Sequence, residues 1–461
     1  MVFSSPVFLF GFLPIVLALY FLAPEAWKNA VLLGVSLIFY GWGEPVYIFL
    51  MLASILSAFL FGFLIAKHRV EQPRRARIFF LLSIVVNLSA LFFFKYYNFV
   101  ATALQMPTIG GLILPIGISF YTFQILSYTI DLYRGEIALQ RNFVAFGTYV
   151  TLFPQLVAGP IVKYAEIDRA LTERSVTVSD FAYGVRRFVC GLAKKLLLGD
   201  ALAAGFEYYK TQMELTPTVL GAWMVTICYS LHLYFDFSGY SDMAIGLGRM
   251  LGFRFPENFH YPYVSKSIGE FWRRWHMTLS SWFRDYVYIP LGGSRCEKWR
   301  LCRNLAVVWL LTGIWHGAGW NFIIWGAYFG ALLILEHLFL RRVLEQIPSF
   351  FRHVYTLLLV FVSFLIFSTE DLTLVGRCLG AMAGVGTVGF SSHTISYQFL
   401  RDLPLLAAAG VGGTPLVKNA VKKLAQGRGA VMLPVASLLL LLLCTAYLVN
   451  STYSPFAYFN F

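Results

Sequence analysis

Long apolar runs follow one another along almost the whole chain, and nothing constrains the fold more. They cover about 7–22, 29–42, 47–66, 78–94, 217–235, 304–316, 318–339, 354–368 and 430–449, with weaker runs at 112–130, 143–162, 372–388 and 403–413. As a helix, a stretch of about 20 apolar residues matches the hydrocarbon thickness of a bilayer. A soluble core cannot hide so many. Of 461 residues 58% are hydrophobic and only 13% are charged, about half the charged share of a soluble domain. In lipid every backbone polar group must find its partner inside the protein, which selects helices for such runs. The expectation is an all-α polytopic membrane protein with about eleven transmembrane helices, plus re-entrant and interfacial helices around a central tunnel. The first run carries no charged side chain from Met1 to Pro6, and no small-residue cleavage site follows it. It reads as a retained span, not a signal peptide.

The net charge of +13 has a topological meaning. Basic residues cluster between the runs at Lys67, Arg69, Arg74, Arg75 and Arg77, at Arg295, Lys298, Arg300 and Arg303, and at Lys418, Lys422, Lys423 and Arg428. The excess of Lys and Arg in cytoplasmic loops places these segments inside. Counting spans outward from them puts both termini on the extracytoplasmic side. No motif points to nucleic acid. The six cysteines show no CxxC and no Cys/His quartet, so no metal site is expected. Phe, Tyr and Trp make up 18% of the chain, more than interfacial belts require, which points to aromatic packing inside the bundle as well.

The chain reads as one domain over 1–461, with N-terminal spans at 1–105, a core at 110–326 and C-terminal spans at 350–461. The core differs from its flanks. Its apolar runs are short, or broken by Gly, Pro and polar residues, as in LPIGISFYTFQ (114–124) and LFPQLVAGP (152–160). Irregular backbone at membrane depth survives only buried in protein or lining a wet cavity. Re-entrant loops or a tunnel wall fit this pattern; kinked spans without a cavity fit it too. Residues 181–198 read as a basic amphipathic helix on the cytoplasmic face, with Arg186, Arg187, Lys194 and Lys195 at the lipid headgroups.

Polar residues inside apolar surroundings carry the chemistry. His316 ends the uncharged run 304–316, and an ionisable residue at membrane depth needs a reason. Neutral imidazole keeps one donor and one acceptor nitrogen, as a general base near neutral pH requires. A helix–helix hydrogen bond is the other reading. In 270–285 a helical period would put Trp272, Trp275, Leu279, Trp282 and Tyr286 on one stripe, with Arg273, His276, Ser280 and Arg284 on the next. Such a helix suits an anionic ligand, and equally an interface with lipid headgroups. Asp236 and Asp242 sit among aromatic and small residues, where pairing with Arg249, Arg273 or Arg274 is the structural reading.

Five stretches carry a resemblance: PIGISFYTFQILSYTIDLYRG (115–135), LFPQLVAGPI (152–161), YFDFSGYSDMAIGLGRMLGFRFPENFHYPY (234–263), SIGEFWRRWHMTLSSWFRDYVYIPLGGSR (267–295) and GIWHGAGWNFIIWG (313–326). Together they resemble the membrane-bound O-acyltransferases, in particular the bacterial branch of the alginate O-acetyltransferase membrane subunit. The peptidoglycan O-acetylation component and the teichoic acid D-alanyl transfer protein are similar too. The resemblance runs over about 1–370 and is densest over 115–326. It implies that His316, in the WHG motif, and His276, in RRWH, are catalytic. The polar stripe and the polar groups near the two histidines give the substrate-binding candidates Arg273, Arg274, Trp275, Ser280, Arg284, Asp236, Trp315 and Asn321. The resemblance further implies an acyl thioester such as acetyl-CoA as donor substrate, no bound cofactor, and an extracytoplasmic esterase-fold acetyltransferase as partner protein. The implied home is the bacterial cytoplasmic (inner) membrane. A D-alanyl or other acyl cargo stays open, and so does a solute transporter, though that class predicts inverted repeats and none is visible.

Overall fold

A computed structural model describes residues 1–426 and 431–450. Arg428, counted above with the third basic cluster, lies outside the described residues. All the regular structure among the described residues is helical. Five helices are long and apolar enough to cross a membrane: Ile48–His68, Pro73–Ala103, Trp320–Gln346, Ser349–Phe367 and Met432–Asn450. They coincide with five of the apolar runs read from sequence. Val7–Leu22 and Leu372–Met382 are shorter apolar helices. Other runs fold differently from a simple span. Residues 29–42 form the 14-residue helix Lys28–Gly41. The run at 217–235 lies within the 32-residue helix Val219–Met250. Leu438, Leu439, Leu442 and Leu443 are all exposed on Met432–Asn450, an apolar surface suited to lipid.

The chain gathers into two compact units. The first unit is Met1–Phe188 with Tyr240–Glu257. Aromatic rings fill its interior: Phe3 packs on Phe8 at 5.0 Å and on Tyr240 at 4.7 Å, and Phe39 on Phe153 at 5.5 Å. The broken motifs are buried here. Every residue from Thr151 to Pro160 is buried, although only Thr151 and Phe153–Leu156 among them are helical. The helix Ile118–Arg134 is buried along nearly its full length. Irregular backbone is therefore sheathed in protein, as burial in a membrane demands. Arg187 is held by Asp242 and Glu257, each at 2.6 Å. Asp242 thus pairs with Arg187, and Arg249 pairs instead with Asp180 at 2.8 Å.

The second unit comprises Val189–Gly239 and the described chain from Asn258 onward. It corrects the expectation of a headgroup-facing Lys195. That side chain is about as buried as a residue can be, with its ammonium hydrogen-bonded to Asp200 and 3.8 Å from Asp236. A buried cation without such partners would be too costly to keep, which is why the two carboxylates accompany it. The helices Lys298–His316 and Trp320–Leu335 pack closely in this unit. A Cβ on Gly326 would lie 2.5 Å from the Trp309 carbonyl oxygen, and one on Gly313 would lie 3.1 Å from the Gly326 Cα. Only glycine permits this approach, the small-residue packing familiar from membrane helices.

Candidate active site

His316 is the last residue of Lys298–His316. Gly317 turns the chain into extended backbone, and Trp320 starts the returning helix. Gly313, one turn before His316, draws that helix in. As a result Trp325 stands edge-on to the His316 ring, with centroids 4.9 Å apart, and Phe367 does the same at 5.2 Å. The histidine is 4% exposed. Its imidazole is thus fixed in an aromatic cage at a helix end, not at a lipid-facing midpoint.

His276 reaches the same interior by a different route. The single helix expected over 270–285 does not form. Ile268–Trp272 ends, a turn follows, and Met277–Phe283 begins with His276 as its N-terminal flank. His276 has φ +42°, a left-handed conformation that costs a non-glycine residue energy and occurs where surroundings enforce it. The break rotates its side chain off the polar stripe with Arg273 and Ser280 and into complete burial. There Phe237 packs edge-on at 4.8 Å and Trp315 lies 6.1 Å away. Trp315 is also 5.0 Å from His316, so one indole stands between the two histidines.

Asn258 sets the His276 tautomer. Its Oδ1 accepts from the Thr278 backbone N–H at 3.3 Å and from the Thr278 hydroxyl at 2.9 Å, and it lies 3.1 Å from His276 Nδ1. A backbone N–H can only donate, which identifies that amide atom as oxygen. His276 Nδ1 must then carry the proton, leaving the lone pair on Nε2. His276 lies between short helices, outside the five long apolar ones. Burial pushes its pKa down to about 3, so the ring is neutral at physiological pH. Asn258→Ala should free this imidazole to turn. Leaving a buried donor without its acceptor costs about 1–3 kcal/mol, equivalent to about 5- to 150-fold in turnover. Steady-state kinetics should show the loss in kcat more than in KM.

The other sequence candidates divide into groups. Arg273, Ser280 and Arg284 line a cavity of about 300 Å³, whose wall also includes Trp272, Trp309 and Thr312. Thr312 is one helical turn before His316. The cavity body is apolar and both of its arginines are exposed, a form that suits an apolar chain with an anionic end. Arg274 is turned elsewhere, toward Glu270 at 2.8 Å and the His260 carbonyl at 3.1 Å. Trp275 is a packing residue, stacked on Phe271 at 5.5 Å and edge-on to Phe259 at 5.1 Å. Asp236 is committed to the Lys195 cluster, not to Arg273 or Arg274, but the next residue is the Phe237 that packs on His276. Asn321 is buried at the start of the Trp320–Leu335 helix.

Sequence reasoning passed over Asn258, Trp325 and Phe367. The first two lie inside the quoted motifs PENFHYPY and IIWG, where a polar or indole group among apolar residues was the available signal. Phe367 had none, since it is one aromatic residue at the end of an ordinary span. Among the described residues no group of three His, Cys, Asp or Glu side chains is placed to hold a metal ion.

A buried, tautomer-fixed histidine, a second histidine at a helix end and an amphipathic cavity in one unit define a site suited to proton transfer on an apolar-tailed substrate. The family model for MBOAT, membrane-bound O-acyltransferase family, matches residues 136–378. The chain is 39% identical to the probable alginate O-acetylase AlgI of Pseudomonas putida, with the whole of both chains covered. It is 32% identical to the peptidoglycan O-acetyltransferase of Helicobacter pylori, over 84% of this chain and 81% of that one. It is 28% identical to the teichoic acid D-alanyltransferase of Bacillus subtilis, over 58% of this chain and 70% of that one. The chain belongs to the membrane-bound O-acyltransferase family: it is a multi-pass membrane O-acyltransferase.

Proposed function

We propose that this protein moves an acetyl group from a cytoplasmic thioester, acetyl-CoA, across the membrane for O-acetylation of a cell-surface polysaccharide, an alginate-like exopolysaccharide or peptidoglycan. The observation that carries this reading is the full-length likeness to a probable alginate O-acetylase. The site supports it. The thioester arm enters the cavity of Arg273, Ser280 and Arg284, with its anionic groups at the two guanidiniums and its apolar part inward. His316 takes the proton of an acceptor hydroxyl as its oxygen attacks the acyl carbon. His276, neutral and oriented by Asn258, positions the acceptor. A polymer chain is too bulky to enter the bundle, so an extracytoplasmic esterase-fold partner receives the acetyl group and passes it on. The protein sits in the bacterial cytoplasmic membrane with about eleven crossings and both termini outside.

The donor assignment is tested with purified protein in nanodiscs and the partner present. Acetyl-CoA should release CoA in proportion to acetyl appearing on the partner. Release from a D-alanyl carrier alone would replace acetyl by D-alanyl, and polysaccharide acetylated at full rate without the partner would remove the partner step. The double variant Arg273→Glu, Arg284→Glu should raise KM for acetyl-CoA about tenfold, by replacing attraction with repulsion at the cavity mouth. Acetyl-pantetheine lacks the nucleotide phosphates, and its KM should change less than about twofold.

A further inference from the structure

The indole N–H groups of Trp272 and Trp325, both in the second unit, have no hydrogen-bond partner among the described residues. Both side chains are more than nine-tenths buried, at 6% and 1% exposure. A buried donor without an acceptor costs about 1–3 kcal/mol, so each such group in a folded protein calls for an explanation. An indole nitrogen can only donate. What both lack is therefore an acceptor.

Their positions narrow the choice. Trp272 forms part of the cavity wall with Arg273, Ser280 and Thr312. Trp325 lies 5.6 Å from Trp272 and 4.9 Å from His316. The two rings thus lead from the cavity wall to the histidine. An acyl thioester travelling that way leads with its carbonyl oxygen, which accepts a hydrogen bond where the sulfur and the acyl carbon chain accept poorly or not at all; the amide carbonyls of its pantetheine arm follow behind. The same oxygen gains negative charge when the acceptor attacks.

Building on the acyl-transfer reading above, we propose that the Trp272 and Trp325 indole N–H groups bind the acyl carbonyl oxygen and stabilise the oxyanion formed beside His316. In this step the acceptor O–H bond breaks and its proton passes to His316. The acceptor oxygen bonds to the acyl carbon, and the carbonyl electron pair moves onto the oxygen held by the indoles. That pair then returns as the C–S bond breaks, and the departing thiolate takes the proton from His316. Donors fixed in a water-poor site are worth more there than in water, because they need no reorganisation as charge develops.

The test replaces the N–H and keeps the ring. Benzothienylalanine, with sulfur in place of indole nitrogen, is introduced separately at Trp272, Trp325 and Trp282 in the full chain. Trp282 is buried against Phe283 at 5.5 Å, outside the cavity wall, and serves as the packing control. Two quantities are read: kcat and KM for acetyl-CoA, and the binding of a ketone analogue with methylene for sulfur, relative to free CoA. The Trp325 variant should lose about 100- to 1,000-fold in kcat with little change in KM, and Trp272 and Trp325 variants should lose the preference for ketone over CoA. The Trp282 variant should behave as wild type. Unchanged kcat and ketone preference in both variants, with wild-type turnover intact, would overturn this assignment alone. An equal loss at Trp282 would also overturn it, as an effect of packing. A wild-type protein that neither turns over nor binds acetyl-CoA would overturn the transfer reading and this assignment with it.

Discussion

His316→Ala should reduce acyl transfer by about 100- to 10,000-fold, the range over which a positioned general base contributes to catalysis. The side chain is caged by Trp325 and Phe367 and ends its helix, so its loss empties a small buried volume without breaking the helix pair. Detergent-extracted yield and melting temperature should therefore change little, while release of CoA from acetyl-CoA should fall to background. His316→Gln, which keeps hydrogen-bonding capacity but cannot carry the proton, should be as inactive as the alanine variant. An active glutamine variant would mean that His316 only bridges helices. That was the other reading of a lone histidine in an apolar run.

Gly326→Val should be nearly as damaging by a different cause. At this position even a Cβ would lie 2.5 Å from the Trp309 carbonyl oxygen, and the Gly313 Cα opposite is as close as 3.1 Å. Those atoms belong to helix backbone and cannot yield as a flexible side chain does. The two helices must separate. Overpacking of this kind costs about 1–3 kcal/mol, and more where the backbone has to move. The shift would carry Trp325 away from His316, since both flank the contact. Thermal melting and activity should fall together, unlike the His316 variants, where activity alone is lost. A Gly326→Val protein with the wild-type melting temperature would show that the helices can part without strain.

Much of this was legible in the residue order, because the bilayer imposes simple rules. Apolar length marked all five long helices, and the breaks by Gly and Pro marked 114–124 and 152–160 as segments that must be buried. His316 stood out as an ionisable group where one is expensive. What the sequence hid follows from one assumption, a continuous helical period. Through 270–285 that period placed His276 beside Arg273 and Ser280. The left-handed backbone at His276 ends the period and turns the ring inward, and no local residue, such as a glycine, announced it. The same assumption put Lys195 at the lipid headgroups, although its partners Asp200 and Asp236 were close by in sequence and along the next long helix. The pairing of Asn258 was hidden for a simpler reason. Its partners Thr278 and His276 are about twenty residues away, and nothing in a single sequence pairs them.

The most direct test of transport coupled to acyl transfer uses sealed inside-out vesicles carrying this protein, with the esterase-fold partner and polysaccharide enclosed. Radiolabelled acetyl-CoA is supplied outside, on the former cytoplasmic face. Label should appear on the enclosed partner and then on the polysaccharide, should require His316, and should leave CoA outside the vesicle. Label that stays outside while CoA is released, or label inside that is independent of His316, would contradict acetyl transfer across the membrane through this site.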